Sequence, residues 1–245
     1  MWTIKEMKER GKAAFNANYW YCVLVSLIFT VCAGGSGGSA GNSARSASSE
    51  NPDLQSALSD IDPTIILVIA AFIAAIGVAL IIGSLVDIFL FNPLKVGCFA
   101  FFSRNVRNTP ASLNEIKEGF HDYTHKVLGM FLKSLFIFLW GLLFIIPGIV
   151  KSYSYKMVPY ILADNPGISA MEAITRSREM MNGNKGRAFL LDLSFFWWIL
   201  LAIITCGLVG IFYVNPYIAS THGALYEELK GQNVQGIQDI QTPEV

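Results

Sequence analysis

Two stretches of the chain carry no Asp, Glu, Lys or Arg at all: 23 residues from Thr64 to Val86, and 34 from Leu193 to Tyr226. A helix needs about 20 apolar residues to cross a bilayer, so each predicts a span. Shorter apolar runs at 19–33 and at Val127–Ile146 predict two more. The second half alternates in texture. An apolar run ends at Pro147-Gly148, a more polar limb follows over about 149–163, and then the soluble-looking "DNPGISAMEAITRSREMMNGNKG" covers 164–186. A further apolar run, Arg187–Cys206, ends at "TCGLVGI" and leads into a second limb over about 211–229. Pro and Gly end helices by removing an N–H and by permitting unusual φ, so both punctuations predict helical hairpins. Asn92-Pro93 predicts a break in the long segment 64–103, with 94–103 continuing along the membrane interface.

The fold class expected is all-α: a polytopic transmembrane helical bundle of about six spans, or four if the two short limbs do not cross. A retained first span is expected at 19–33, because 18 residues precede the run and that is long for a leader. The opening segment 1–18, the segments 104–126 and 164–186, and the tail 231–245 are expected on the cytoplasmic side. Residues 34–63 are rich in Gly, Ser and Asn, with little to bury, and predict a low-complexity extracellular loop. All of this makes one integral-membrane domain of 1–245.

The helix in 164–186 has its apolar residues at Ile168, Met171, Ile174 and Met181, which predicts one apolar face. Ser169 with Glu172 fits the S-x-x-E capping box, and Gly183 fits a C-terminal cap. The same box recurs at Thr3/Glu6 and Ser112/Glu115. Laying 112–161 on 169–218 aligns Ser112 with Ser169, Glu115 with Glu172, Gly129 with Gly186, Trp140 with Trp197 and Pro159-Tyr160-Ile161 with Pro216-Tyr217-Ile218. This is a candidate internal repeat of a capped helix followed by a hairpin.

Composition agrees with a membrane protein: 53% hydrophobic and 15% charged residues, with a formal net charge of zero, against about 25% charged in an average soluble domain. Zero net charge implies no bulk attraction to nucleic acid. Position matters more than total. Lys5, Lys8, Arg10 and Lys12 precede the first run; Lys95, Arg104, Arg107, Lys117 and Lys126 follow the second; Arg176, Arg178, Lys185 and Arg187 lie in or beside 164–186. The positive-inside rule places all three groups in the cytoplasm. Cys22, Cys32, Cys98 and Cys206 form no C-x-x-C and sit in apolar sequence, as small buried hydrophobes do.

At "LWGLLFIIPGIVKSYSYKMVPYILADNPGISAMEAITRSREMMNGNKGRAFLLDLSFFWWILL" the chain resembles a bacterial integral-membrane family, common in Gram-positive species, known as domain of unknown function 975. The features in common are the PGI-K turn, the Y-x-M-x-P-Y-I limb, D-N-P, the S-R-x-M-x-G-N-K helix end and the L-D-L-S-F start of the next run. The resemblance implies a polytopic membrane protein and supplies no catalytic residues.

No G-x-S-x-G, Walker loop, G-x-G-x-x-G after a strand or H-E-x-x-H is present, so no enzyme, catalytic residue or cofactor is expected. His121 and His125, four apart beside Asp122, lack a third metal ligand at helical reach. No metal site is expected. The chemistry is instead in charges placed within apolar sequence. Lys133 and Asp192 read as interfacial groups that snorkel. The limb carrying Lys151, Tyr153, Tyr155 and Lys156 is too polar for lipid on every side, and Lys151, Tyr155, Lys156 and Asp192 form a candidate polar groove. His222, alone in the last limb, reads as a structural hydrogen bonder. Trp140, Trp197, Trp198, Tyr213 and Tyr217 read as interfacial anchors. Two functions fit: a membrane scaffold or accessory protein that binds other membrane proteins or lipid, which is the reading preferred, and a small transporter or lipid-handling protein with a groove between its hairpins. The bilayer is the partner expected under both.

Overall fold

The computed structural model describes residues 2–34, 63–107, 111–205 and 207–241, which form helices and turns without a strand. Helix α1 (Ile4–Ala17) meets α2 (Tyr19–Gly34) at a sharp elbow, the two axes differing by 105°. α3 (Pro63–Val86) passes through one π-helical turn, Asp87–Phe91, into α4 (Asn92–Arg107). A 3-10 segment, Leu113–Phe120, leads to α5 (Tyr123–Leu143), α6 (Ile145–Ser154), α7 (Val158–Asp164) and α8 (Ala170–Met180). α9 (Lys185–Leu193) and α10 (Phe196–Ile204) run almost end to end, and a second π-helical turn, Gly210–Val214, opens α11 (Asn215–Gln241). The predicted loop over 34–63 lies, but for its two ends, outside the described residues, as does Cys206. The tail expected over 231–245 is helical as far as Gln241.

Among the described residues three stretches are long and apolar enough to cross a membrane: Leu67–Arg107, Tyr123–Leu143 and Lys185–Ile204. A fourth arises if the bent α1–α2 pair is counted as one span. From Met157 and from Val214 onward, the limbs 149–163 and 211–229 supply inner wall of the bundle. Met157, Val158, Tyr160, Ile161, Leu162, Val214, Tyr217, Leu225 and Tyr226 are all buried.

The segment after Asn92-Pro93 differs from expectation. The chain does not break there. The π turn absorbs Pro93, with the Asn92 N–H donating to the Asp87 carbonyl, and α4 continues as a largely enclosed helix of the bundle. Val96, Cys98, Ala100, Phe101 and Phe102 are at most 2% exposed, so 94–103 is core and not an interfacial strip. Its neighbours come close because they carry glycine where they meet. A Cβ on Gly223 of α11 would lie 2.6 Å from the Phe102 carbonyl oxygen, and one on Gly97 would collide with the Ile116 backbone.

The elbow is held by a buried pair of amides. Asn18, at the C-cap of α1, donates from Nδ2 to Asn105 Oδ1 (3.0 Å) and to the Ala111 carbonyl (2.8 Å), and Asn105 donates to the Ala14 carbonyl at 2.9 Å. Buried amides satisfied on both sides fix the angle, because any other angle would orphan them. α1 buries Met7, Gly11, Ala14 and Phe15 against the bundle, the i, i+4, i+7, i+8 pattern of a packed helix face.

Two of the three expected caps form. The Glu6 N–H donates to Thr3 Oγ1 (3.3 Å) and the Glu172 N–H to Ser169 Oγ (3.2 Å). The return half of the box is not made at Ser169, because the Glu172 carboxylate accepts from Arg176 one turn on. At Ser112 the side chain caps nothing, a 3-10 segment follows, and Glu115 pairs with Arg104. Gly183 does turn the chain, at φ +72°. In α8 the buried residues are Ala170, Ala173, Ile174, Ser177 and Met180, whereas Met171 points outward and is 54% exposed. The first hairpin turns at Phe144, in extended conformation, three residues before Pro147. Pro147 instead sits in the first turn of α6, where a missing N–H costs nothing.

α3 is apolar on all sides, and none of its most apolar stretch is buried against the protein. A helix of that kind has no face to turn to water.

Candidate functional site

Asp192 on α9 is the centre of a polar cluster inside the bundle. Its Oδ2 accepts from Lys156 Nζ (2.6 Å) and from the Tyr153 hydroxyl (2.9 Å), and its Oδ1 lies 2.7 Å from His222 Nε2. A carboxylate only accepts, so Nε2 carries the proton that His222 donates. The 3.3 Å approach of Lys156 Nζ to the same nitrogen is therefore proximity and not a second bond. Three segments far apart in sequence supply the four groups: the α6–α7 junction, α9 and α11. α6 ends at Ser154, and the turn through Tyr155 swings Lys156 toward α9. Lys156 and Asp192 keep 18% and 29% side-chain exposure, so the pair is largely withdrawn from water.

Lys156 and His222 also line a cavity of about 550 Å3, within the ~300–1,000 Å3 common for small-ligand sites. Phe29, Phe99, Phe102 and Ile218 form apolar walls, and Ser26, Lys133 and Tyr160 supply polar atoms. Ser26 Oγ and the Tyr160 hydroxyl are buried without a hydrogen-bond partner among the described residues, a state that costs roughly 1–3 kcal/mol for each group. Lys133 has no hydrogen bond, ion pair or ring contact to a described residue. It stands at the middle of α5, ten residues from Tyr123. At ~1.5 Å per residue that is ~15 Å from the helix start, so Lys133 stands mid-helix and not at a helix end.

The other groove residues lie elsewhere. Lys151 Nζ sits 4.6 Å over the Trp140 ring. Tyr155 is 4% exposed and packs against Phe136. So the structure unites Lys156 and Asp192 with Tyr153 and His222, and leaves Lys151 and Tyr155 apart from them. The sequence places Lys156 and Asp192 in one candidate groove, but reads Tyr153 only as part of a polar limb and His222 as a lone hydrogen bonder. A single acid facing isolated bases in apolar sequence hinted at pairing, but nothing in one dimension chose the partners. Ser26 and Tyr160 gave no signal at all.

A second polar knot closes one end of the bundle. Asp164, with 4% side-chain exposure, accepts from Arg107 (2.9 Å), Lys230 (2.5 Å) and the Tyr226 hydroxyl (3.1 Å), and Arg107 also holds Glu227 at 2.7 Å. Burial pushes the Asp164 carboxyl up, but the hydrogen bonds and charges of Lys230 and Arg107 outweigh it and hold it below the usual carboxylate range. The knot ties α4, α7 and α11 together. Cys22, Cys32 and Cys98 are buried and free. Among the described residues no group of three or more His, Cys, Asp or Glu side chains is arranged to hold a metal ion. Trp197 is 74% exposed, whereas Trp198, Tyr213 and Tyr217 form an aromatic chain with Phe15 and Phe195.

Fold and site together define an all-helical chain with three or four membrane-length helices and a charged cluster between them. Residues 142–233 match the model of a family described as a protein of unknown function (DUF975), which is the family the sequence resembles, and the match takes in Tyr153, Lys156, Asp164, Asp192 and His222. No curated protein and no solved structure matches the chain.

Proposed function

We propose that the protein is a multi-pass membrane protein that holds an amphiphilic molecule between its helices, as a lipid-handling protein or small transporter does. One observation carries this reading: an apolar-walled cavity with Lys156 and His222 of the polar cluster at its edge and two unpartnered hydroxyls in its lining. A protein that served only as a scaffold would have no need of such a space, and closing it with larger apolar side chains would stabilise the bundle. α3 supports a second role beside this one. It is membrane-length and its most apolar stretch is unburied, so lipid or another membrane protein covers that stretch.

On this reading the three basic groups lie in the cytoplasm. Each long limb, α5 and α9–α10, pairs with a return limb, so 1–18, 104–126, 164–186 and the C-terminal end share one side. The two hairpins then derive from a parallel repeat, with α8 and the 3-10 segment as corresponding pieces. The amphiphile test is direct. Protein purified from membranes in mild detergent is expected to carry a stoichiometric amphiphile in native mass spectrometry. Ala219→Trp, which fills the cavity wall, is expected to lose it while keeping the fold. An identical set of bound molecules in both proteins would defeat the reading.

A further inference from the structure

The polar groups that line the cavity are unequal in sign. Lys133 is a cation without a counter-ion among the described residues. Lys156 is a second cation, already matched by Asp192. Among the described residues no Asp or Glu lines the cavity, and Asp87, in the π turn that follows α3, holds Lys95 at 2.8 Å. Two of the three buried hydroxyls without a hydrogen-bond partner among the described residues, Ser26 Oγ and the Tyr160 hydroxyl, line the cavity, and each has a proton to donate. An ammonium in mid-span with two free hydroxyl donors nearby needs an acceptor that brings negative charge. Most of the remaining wall is apolar, from Phe29, Phe99, Phe102 and Ile218, and its other polar pair, Asn215 and Thr30, hydrogen-bond to each other at 3.3 Å.

We propose that the cavity binds an anionic amphiphile: a carboxylate or phosphate headgroup held by Lys133, Tyr160 and Ser26, with its hydrocarbon chain along the phenylalanine-lined wall. This rests on the ligand-holding reading above and adds the sign and placement of the headgroup. Asp192 has a defined part in it. By neutralising Lys156 and accepting the hydrogen bond of His222 it leaves Lys133 as the uncompensated charge among the described residues that line the cavity, which selects for a single negative group.

The experiment uses the full-length protein in nanodiscs of neutral phosphatidylcholine, with empty nanodiscs as the partition control. The probes are radiolabelled oleate, oleoyl lysophosphatidate, uncharged monoolein and inorganic phosphate. One or both anionic amphiphiles are expected to bind at least tenfold more tightly than monoolein. The tighter of the two identifies the headgroup as carboxylate or phosphate, and either result supports the proposal. Lys133→Met is expected to weaken anionic binding about tenfold while leaving monoolein unchanged, and Tyr160→Phe about threefold. If Lys133→Met does not fold, Lys133→Arg, which keeps the charge, and Tyr160→Phe, which keeps the ring, carry the test. Retention of binding in the first with loss in the second supports the site. Equal affinity for monoolein and oleate would overturn the headgroup assignment and leave the amphiphile reading standing. Phosphate binding as tightly as lysophosphatidate would overturn the need for a chain. Failure of every amphiphile to bind would remove both this proposal and the reading beneath it.

Discussion

Asp192→Asn tests whether the polar cluster is one electrostatic unit. The substitution keeps the size and planarity of the side chain and removes its charge. Lys156, with 18% side-chain exposure, is then a largely buried ammonium beside a neutral amide and an imidazole. Removing one member of a buried ion pair costs about 3–5 kcal/mol, because the other is left uncompensated. The residual exposure of both side chains lets water screen part of that, so about 3 kcal/mol is expected. Lys156→Met in the Asp192→Asn background removes the stranded charge as well. Most of the loss should then return, giving a coupling of about 2 kcal/mol, within the range found for contacting residues. The assay is equilibrium unfolding in mixed micelles, followed by tryptophan fluorescence, for the four proteins of the cycle. Losses that add to within ~0.5 kcal/mol, the level expected of independent sites, would refute the argument, since a 2.6 Å charged contact cannot be energetically silent if the pair is withdrawn from water.

Three further outcomes are expected. Asp164 has its carboxyl held below the usual range, so its contribution is present above the ordinary carboxylate pKa of ~3.9 and lost as pH falls through the lower folded value; Asp164→Asn should lower stability at pH 7 and flatten the loss on acidification, and parallel acid titrations of the two proteins would count against the knot. Gly223→Ala should destabilise by about 1–3 kcal/mol or more, since its methyl would meet the Phe102 carbonyl at 2.6 Å, and an unchanged unfolding midpoint would show that α4 and α11 can separate freely. In protein without its native cysteines, Ser39→Cys should react with an impermeant thiol reagent in intact cells, and Thr175→Cys, on the exposed face of α8, only after lysis; the reverse order would invert the membrane orientation proposed.

The sequence by itself determined the class. Long charge-free runs, Gly and Pro at hairpin ends, and caps at Thr3 and Ser169 are local signals, and local signals set helix type and approximate limits because backbone hydrogen bonds in a helix close within four residues. It also separated the charged residues that sit in apolar surroundings from those in polar segments. What it did not contain was partnership. Asp192, Lys156 and His222 come from three segments, and Lys151 is four residues before Tyr155 yet on different business once α6 ends at Ser154. A helical-wheel argument fails at a helix end, where the 100° step no longer holds. The π turn at Asp87–Phe91 likewise let the chain pass Pro93 into the core, where a break would have put 94–103 at the surface. Which charge stays unpaired is decided by three-dimensional distance, and Lys133 acquires its meaning from a cavity lining without an acid among the described residues, a property of packing that no stretch of sequence displays.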